Sequence, residues 1–353
     1  MGNILLIRLW EMEAMQTKKL AAIFTALLTC VSLVVAGCGG KDSASSGESS
    51  GGVYKDKISL GCTTWIGYAP LHLAVEKGFF KDEGLDVEMR VIESAGDIKS
   101  ALKSGQIKGM AQTIDTEVMA NSAGLKLKEV LPLCNSNGGD GIVAKKEYNS
   151  LADLKGKTIA LDTTGGASLF WFNNLLDAQG MTMQDFDVKN MSAGDAGSAF
   201  VGGQVDAAVT WEPWLSNANK TTFGKTLVTS KASPGVIVDA LCFDSDFAAK
   251  NPKTVQTIIK VWFKAVQYAK DHPDEAYPIM AKSQNMSVDD FKAQLPNIEY
   301  FNEDMTKDYL IGGKMAEMAQ KASDLWIKMK LMTEPVKGTD IVDASFAKAA
   351  LGL

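Results

Sequence analysis

The sequence predicts an α/β protein of two similar lobes, each a mainly parallel sheet flanked by helices, with a helical C-terminal extension. Three observations carry that expectation. From Asp56 onward, short apolar strand-like runs alternate with helical patterns across Gly-punctuated joins, the arrangement of a sheet packed between helices. The alternation restarts near Ser150, so two half-patterns stand in series. Beyond Pro252 the pattern becomes helical, and Val255, Ile258, Ile259, Trp262 and Val266 fall on one stripe.

The elements follow in order. Residues 57–62 read as a strand that runs into the turn-rich stretch 63–68, and Pro70 opens a helix stopped by Gly78. Residues 85–91 alternate like a half-buried strand. Asp97 is expected to cap a helix that ends at Gly105. A strand over 109–113 precedes a helix beginning at Asp115, and another strand covers 127–133. The second series runs strand 157–161, Gly-rich turn 162–166, helix 167–179, strand 186–190, helix 195–200 and strand 205–210. Residues 234–242 read as a strand returning to the first lobe, and helices are expected over 252–270, from Ser287, and over 305–332. Trp262 and Trp326 sit on helix stripes and are assigned to the core.

Composition bounds the function. The chain has 353 residues, 46% hydrophobic and 22% charged, which excludes a disordered chain and a disulfide-stapled miniprotein. A net charge of -6 offers no general attraction to nucleic acid, so none is expected as a partner. With 2 histidines and no zinc, phosphate-loop or dinucleotide spacing, neither a metal nor a cofactor is implied.

The N-terminus carries a targeting pattern. Lys18 and Lys19 precede an uncharged apolar run over 20–36, which ends at Gly37-Cys38. Val35-Ala36-Gly37-Cys38 resembles the bacterial lipoprotein box, which implies cleavage after Gly37 and lipid on Cys38. Residues 1–37 are therefore expected to be a signal peptide, with translation starting at Met15 because Glu11 and Glu13 do not suit its basic segment. Residues 38–55 are expected to be a lipid-anchored flexible tether, rich in Ser and Gly. Cys62, Cys134 and Cys242 lie in apolar runs and read as buried free thiols.

An ordered set of short matches spans residues 58 to about 345. Thr64-Trp65-Ile66-Gly67-Tyr68-Ala69-Pro70-Leu71, Glu76-Lys77-Gly78-Phe79-Phe80, Asp153-Leu154-Lys155-Gly156-Lys157, Gly203-Gln204-Val205-Asp206-Ala207 and Trp211-Glu212-Pro213-Trp214 belong to it. Together they resemble the nitrate/sulfonate/taurine-type substrate-binding proteins of ABC importers. The resemblance implies a two-lobed periplasmic-binding-protein-like fold of type II, with a ligand clamped between lobes and delivered to a permease driven by a cytoplasmic ATPase. On this reading lobe 1 is 56–141 plus 240–353 and lobe 2 is 142–239, with crossovers near 141–145 and 236–241. A monomer on the extracytoplasmic face of the cell membrane is expected, periplasmic if the host has an outer membrane.

In open α/β sheets, ligands sit beyond the carboxyl ends of the strands. The candidate ligand-binding residues at those ends are Trp65, Tyr68, Thr113, Asp115, Asp140, Thr164, Gly165, Gly166, Trp211, Glu212 and Asp239, with Phe170 and Trp214 as further aromatic candidates. Aromatic faces and carboxylates, with no Lys or Arg in these loops, favour a small amine, guanidinium, urea-like compound or zwitterion such as taurine. The alternative is nitrate or an aliphatic sulfonate held by the amides of Thr164, Gly165 and Gly166. Structural roles compete at each acid: Asp115 suits a helix cap, Asp140 a crossover turn, Glu212 a hinge ion pair, and Asp239 an internal hydrogen bond. An enzyme resembling a desulfinase or a pyrimidine-precursor synthase would need a nucleophile such as Cys62 with His72 as base. No catalytic residue is assigned, and capture without chemistry is the expectation.

Overall fold

The computed structural model describes residues 52–353, so the signal run, Cys38 and nearly all of the tether lie outside the described residues. The apolar runs form Ile58–Cys62 (β1), Val87–Val91 (β2), Gly109–Thr113 (β3) and Leu127–Ser136 (β4). Asp140–Lys145 (β5), Thr158–Leu161 (β6), Asp187–Asn190 (β7), Ala207–Trp211 (β8) and Gly224–Thr229 (β9) follow. Val238–Asp244 (β10) and Ile298–Tyr300 (β11) complete the set. They make a six-stranded sheet, ordered β11-β4-β10-β3-β1-β2, and a five-stranded sheet, ordered β7-β6-β8-β5-β9. Helices cover both sheets, so the fold is α/β.

The sheets are mixed rather than mainly parallel. In the first, β1 pairs in parallel with β2 and β3, while β10 runs antiparallel to β3 and β4 and β11 antiparallel to β4. In the second, β6 is parallel to β7 and β8, and β5 is antiparallel to β8 and β9. The reversal follows from the route of the chain. It leaves the first sheet at the carboxyl end of β4 and returns to it after β9. A strand entering from the neighbouring sheet starts at the facing edge and must run away from it. β5 and β10 are those entering strands, and their first residues stand beside the last residues of the parallel strands.

The crossings are short. Residues 137–139 link β4 to β5, so the stretch 141–145, expected as a crossover, is instead strand; residues 230–237 link β9 to β10. Ser136 Oγ, at the end of β4, and Ser230 Oγ, in the second crossing, lie 2.9 Å apart, and the Gly138 amide in the first crossing donates to Ser230 Oγ at 2.7 Å. The helix expected to be capped by Asp97 starts earlier, at Ala95–Lys103, because Ser94 is the cap: its Oγ accepts the Asp97 amide at 3.3 Å. β9, β11 and the helices Trp214–Lys220 and Pro273–Ser283 were not marked by periodicity; the two strands and the Trp214–Lys220 helix are short. Trp171, Trp262 and Trp326 are fully buried, the last two as the helix stripes predict.

Candidate functional site

The carboxyl ends of β1, β3, β6 and β8 and the first residues of β5 and β10 meet around one cavity. Its volume, open to the centre of a water-sized sphere, is about 40 Å³. Thr63, Trp65, Tyr68, Gln112, Thr113 and Asp239 face it from the first sheet, and Asp140, Asp162, Gly165, Gly166, Ser168 and Trp211 from the second, with Glu93 at the edge.

Eight of the eleven candidate residues line this cavity: Trp65, Tyr68, Thr113, Asp140, Gly165, Gly166, Trp211 and Asp239. Asp115, Thr164 and Glu212 do not. Asp115 is buried behind Thr113, and burial raises its carboxyl to about 7. Thr164 turns its hydroxyl and amide to Asp162 Oδ1, at 2.6 and 2.8 Å. Glu212 accepts the Ser216 amide and hydroxyl, each at 2.9 Å, and so starts the Trp214–Lys220 helix. Of the further aromatic candidates, Phe170 packs on Trp326 at 5.1 Å and Trp214 packs over Gly197, both outside the wall. Asp239 begins its strand rather than ending one, which is why it pairs with Thr113, the last residue of β3.

The state of the wall's acids differs from what their number predicts. Asp239 accepts from Trp65 Nε1 and Cys134 Sγ, both at 2.9 Å, and from the Tyr68 hydroxyl. Burial pushes its carboxyl up while these donors pull it back. Asp162 is held by Thr164, and Glu93 by the Thr64 hydroxyl at 2.5 Å and amide at 3.3 Å. Asp140 is raised to about 7, first by burial, against hydrogen bonding from Ser136 and with the nearby acids Asp239 and Asp115 adding to the rise. Three carboxylates thus have internal donors, Asp162 at Oδ1 alone, and the fourth titrates at about 7, between its neutral and charged forms near neutral pH.

The unpartnered groups in the wall are different. Ser168 Oγ and Gln112 Nε2 are buried without a hydrogen-bond partner; the amide nitrogen can only donate, and the hydroxyl can donate as well as accept. Ser168 lies in the first turn of Ala167–Ala178, whose N-cap, Gly166, offers no side chain, so the first amides of that helix are open toward the cavity edge. Lys99, from the opposite half, reaches the Thr164 carbonyl oxygen at 3.5 Å beside Gly165; burial lowers its pKa, against the pull of Asp162 and Asp115. Sequence reasoning missed Gln112, Ser168 and Lys99. The signal available was a glutamine inside the otherwise small or apolar strand GMAQT.

Cys62 and His72 do lie together, Sγ to Nε2 at 3.8 Å, but outside the cavity wall. Burial raises the thiol to about 12 and lowers the imidazole to about 4. Both are neutral at physiological pH, and a neutral thiol is a poor nucleophile. Cys62, Cys134 and Cys242 are buried free thiols, as expected.

Two mixed α/β halves joined by paired crossings, with a cavity where their strand ends meet, define the periplasmic-binding-protein fold. A family model described as "NMT1/THI5 like" matches residues 65–276. The chain belongs to that family. It is 27% identical over 336 residues to a Bacillus subtilis (strain 168) protein provisionally named an aliphatic sulfonates-binding protein, covering 92% of this chain and 96% of the relative. Its fold resembles the alkanesulfonate-binding protein SsuA from Xanthomonas axonopodis pv. citri bound to MOPS, with a TM-score of 0.69, 18% identity, and coverage of 82% of this chain and 98% of the other. It also resembles the periplasmic nitrate-binding protein NrtA from Synechocystis PCC 6803, with a TM-score of 0.59, 19% identity, and coverage of 83% and 92%.

Proposed function

We propose that this protein is the solute-binding component of an ABC importer, held at the extracytoplasmic face of the membrane by lipid on Cys38, and that it carries a sulfonate or nitrate unaltered to its permease. The observation that carries the ligand class is the inventory of free polar atoms in the cavity. The carboxylates that favour a cationic guest are engaged or poised to be neutral, whereas Ser168 Oγ, Gln112 Nε2 and the amides at the start of Ala167–Ala178 are open donors. Donors without acceptors suit an oxygen-rich anion. The names of the Bacillus subtilis, Xanthomonas and Synechocystis proteins support the same class. A nitrogenous cation or zwitterion is the second reading, favoured by the four carboxylates in and around the wall.

Isothermal titration of the purified full-length protein with nitrate, methanesulfonate, taurine and guanidinium separates the two. Heat of binding with an anion and none with guanidinium is the expected result. Binding of guanidinium alone reverses the assignment. The pairing of Cys62 and His72, both neutral, supports capture over catalysis. Recovery of the bound solute chemically unchanged is the corresponding check.

A further inference from the structure

Two donors in the cavity wall stand out because nothing in the protein occupies them. Ser168 is 4% exposed and Gln112 is 6% exposed, yet neither Ser168 Oγ nor Gln112 Nε2 has a partner. A buried donor left unmade is destabilising, so two in one small cavity call for an acceptor from outside the fold. They also come from opposite halves. Gln112 is on β3 of the six-stranded sheet; Ser168 is on the helix that follows β6 of the five-stranded sheet. We infer that Ser168 and Gln112 are specificity-determining residues that donate, one from each half, to the oxygens of a single compact oxyanion seated at the start of the Ala167–Ala178 helix. This rests on the sulfonate or nitrate reading above and assigns the residues that read it.

The surroundings fit an anion at that point. The 12-residue helix places the positive end of its dipole and its uncapped first amides at the cavity. Gly165 and Gly166 have φ of 108° and 121°, a backbone region closed to most side chains, and a Cβ on Gly165 would press on Met119 Sδ. The two glycines therefore let the loop approach the opposite half closely. Lys99 Nζ stands 3.7 Å from that same Cβ position, which brings a positive charge of the first half to the second half's loop. Of the four carboxylates in the wall, Asp162 and Glu93 are each turned to a threonine hydroxyl, at 2.6 and 2.5 Å, Asp239 is held by Trp65, Tyr68 and Cys134, and Asp140 is raised to about 7. The cavity, about 40 Å³ to the centre of a water-sized sphere, restricts the guest to a small solute.

The test titrates full-length wild-type, Ser168→Ala, Gln112→Leu and the double variant with nitrate and methanesulfonate, and records thermal unfolding of each. Removing a hydrogen bond to a charged ligand is expected to weaken binding about ten- to a hundredfold per residue. Each variant should keep or raise its melting temperature, because it removes an unsatisfied donor. A merely structural role would lower that temperature instead. Gln112→Asn, which keeps the donor type, should recover part of the loss for at least one of the two anions. If wild-type binds these anions and the single variants match it within about twofold, the donor assignment is overturned while the importer reading stands. If wild-type binds only guanidinium or an amine, the anion reading and the donor assignment fall together.

Discussion

The two halves present the cavity with the same device and use it differently. Each receives one strand from the other half, and each such strand brings an acid to its cavity end: Asp239 on β10, paired with Thr113, and Asp140 on β5, paired with Trp211. The environments then diverge. Asp239 collects three donors, and through them it fixes Trp65 and Tyr68, the aromatic wall of the first half. Trp65 in turn packs so closely on Gly139, in the first crossing, that a Cβ there would overlap its ring. Asp140 has no such set; only Ser136 offsets its burial. One acid is a clamp, with donors on both of its oxygens. The other keeps a proton within reach of neutral pH.

Breaking the clamp is expected to have the largest effect. Asp239→Ala leaves Trp65 Nε1, the Tyr68 hydroxyl and the Cys134 thiol buried without an acceptor. The expected cost is at least about 3 kcal/mol of stability, read by chemical denaturation, together with loss of ligand binding. Asp239→Asn keeps one good acceptor and should fall between that variant and wild-type. If Asp239→Ala abolished binding while stability moved by less than about 1 kcal/mol, Asp239 would be a ligand contact and the contrast with Asp140 would disappear.

The second effect is one of pH and belongs to Asp140. Its carboxyl is raised from 3.8 to about 7, and the groups that bear on it are Ser136, Asp239 and Asp115. Because the folded value is raised, the neutral form is favoured in the fold. Its contribution to stability is complete below the unfolded value and is lost as pH rises through about 7. Binding of an anion carries the same sign, since an ionised Asp140 repels it. Affinity for nitrate or methanesulfonate should therefore weaken about tenfold between pH 6 and pH 8, a shift of one pKa unit or so. Asp140→Asn should reduce that slope, and Asp115, a buried acid raised to about 7 as well, supplies what remains. A cationic ligand would give the opposite slope, so the sign alone discriminates the two ligand classes.

The contrast also explains how far the sequence could be read. Strand–helix alternation and glycine stops located the loops at 63–68, 113–115 and 162–166, and those loops do bound the cavity. Apolar alternation carries no arrow, however, so the reversed directions of β5 and β10 were hidden, and with them the mixed character of both sheets. The carboxylates were visible as residue types, but their occupation was not. Asp239 meets Trp65 and Tyr68 across 174 and 171 residues of chain, a separation over which local patterns say nothing. Ser168 looked like an ordinary first-turn residue, and its significance depends on Gln112 arriving from the other sheet. The cation expectation arose from counting acids without knowing which were already satisfied.

The smallest expected effect tests whether the halves are held by the cavity or by their rim. Lys328, at the end of the Lys314–Lys328 helix, pairs at 2.7 Å with Asp177 of the Ala167–Ala178 helix, so the ion pair joins an element packed on the first half to one packed on the second. Both side chains are largely in solvent, 63% and 53% exposed. An ion pair so placed contributes about 0–1 kcal/mol and is screened by salt. Lys328→Ala is therefore expected to change anion affinity by less than about fivefold, with the difference vanishing in high concentrations of a non-binding salt. Ser168→Ala, with no charge removed, should cost more. Should the rim variant prove the more damaging of the two, closure would be driven by surface charge, and the inward-facing donors would be followers of that closure rather than its cause.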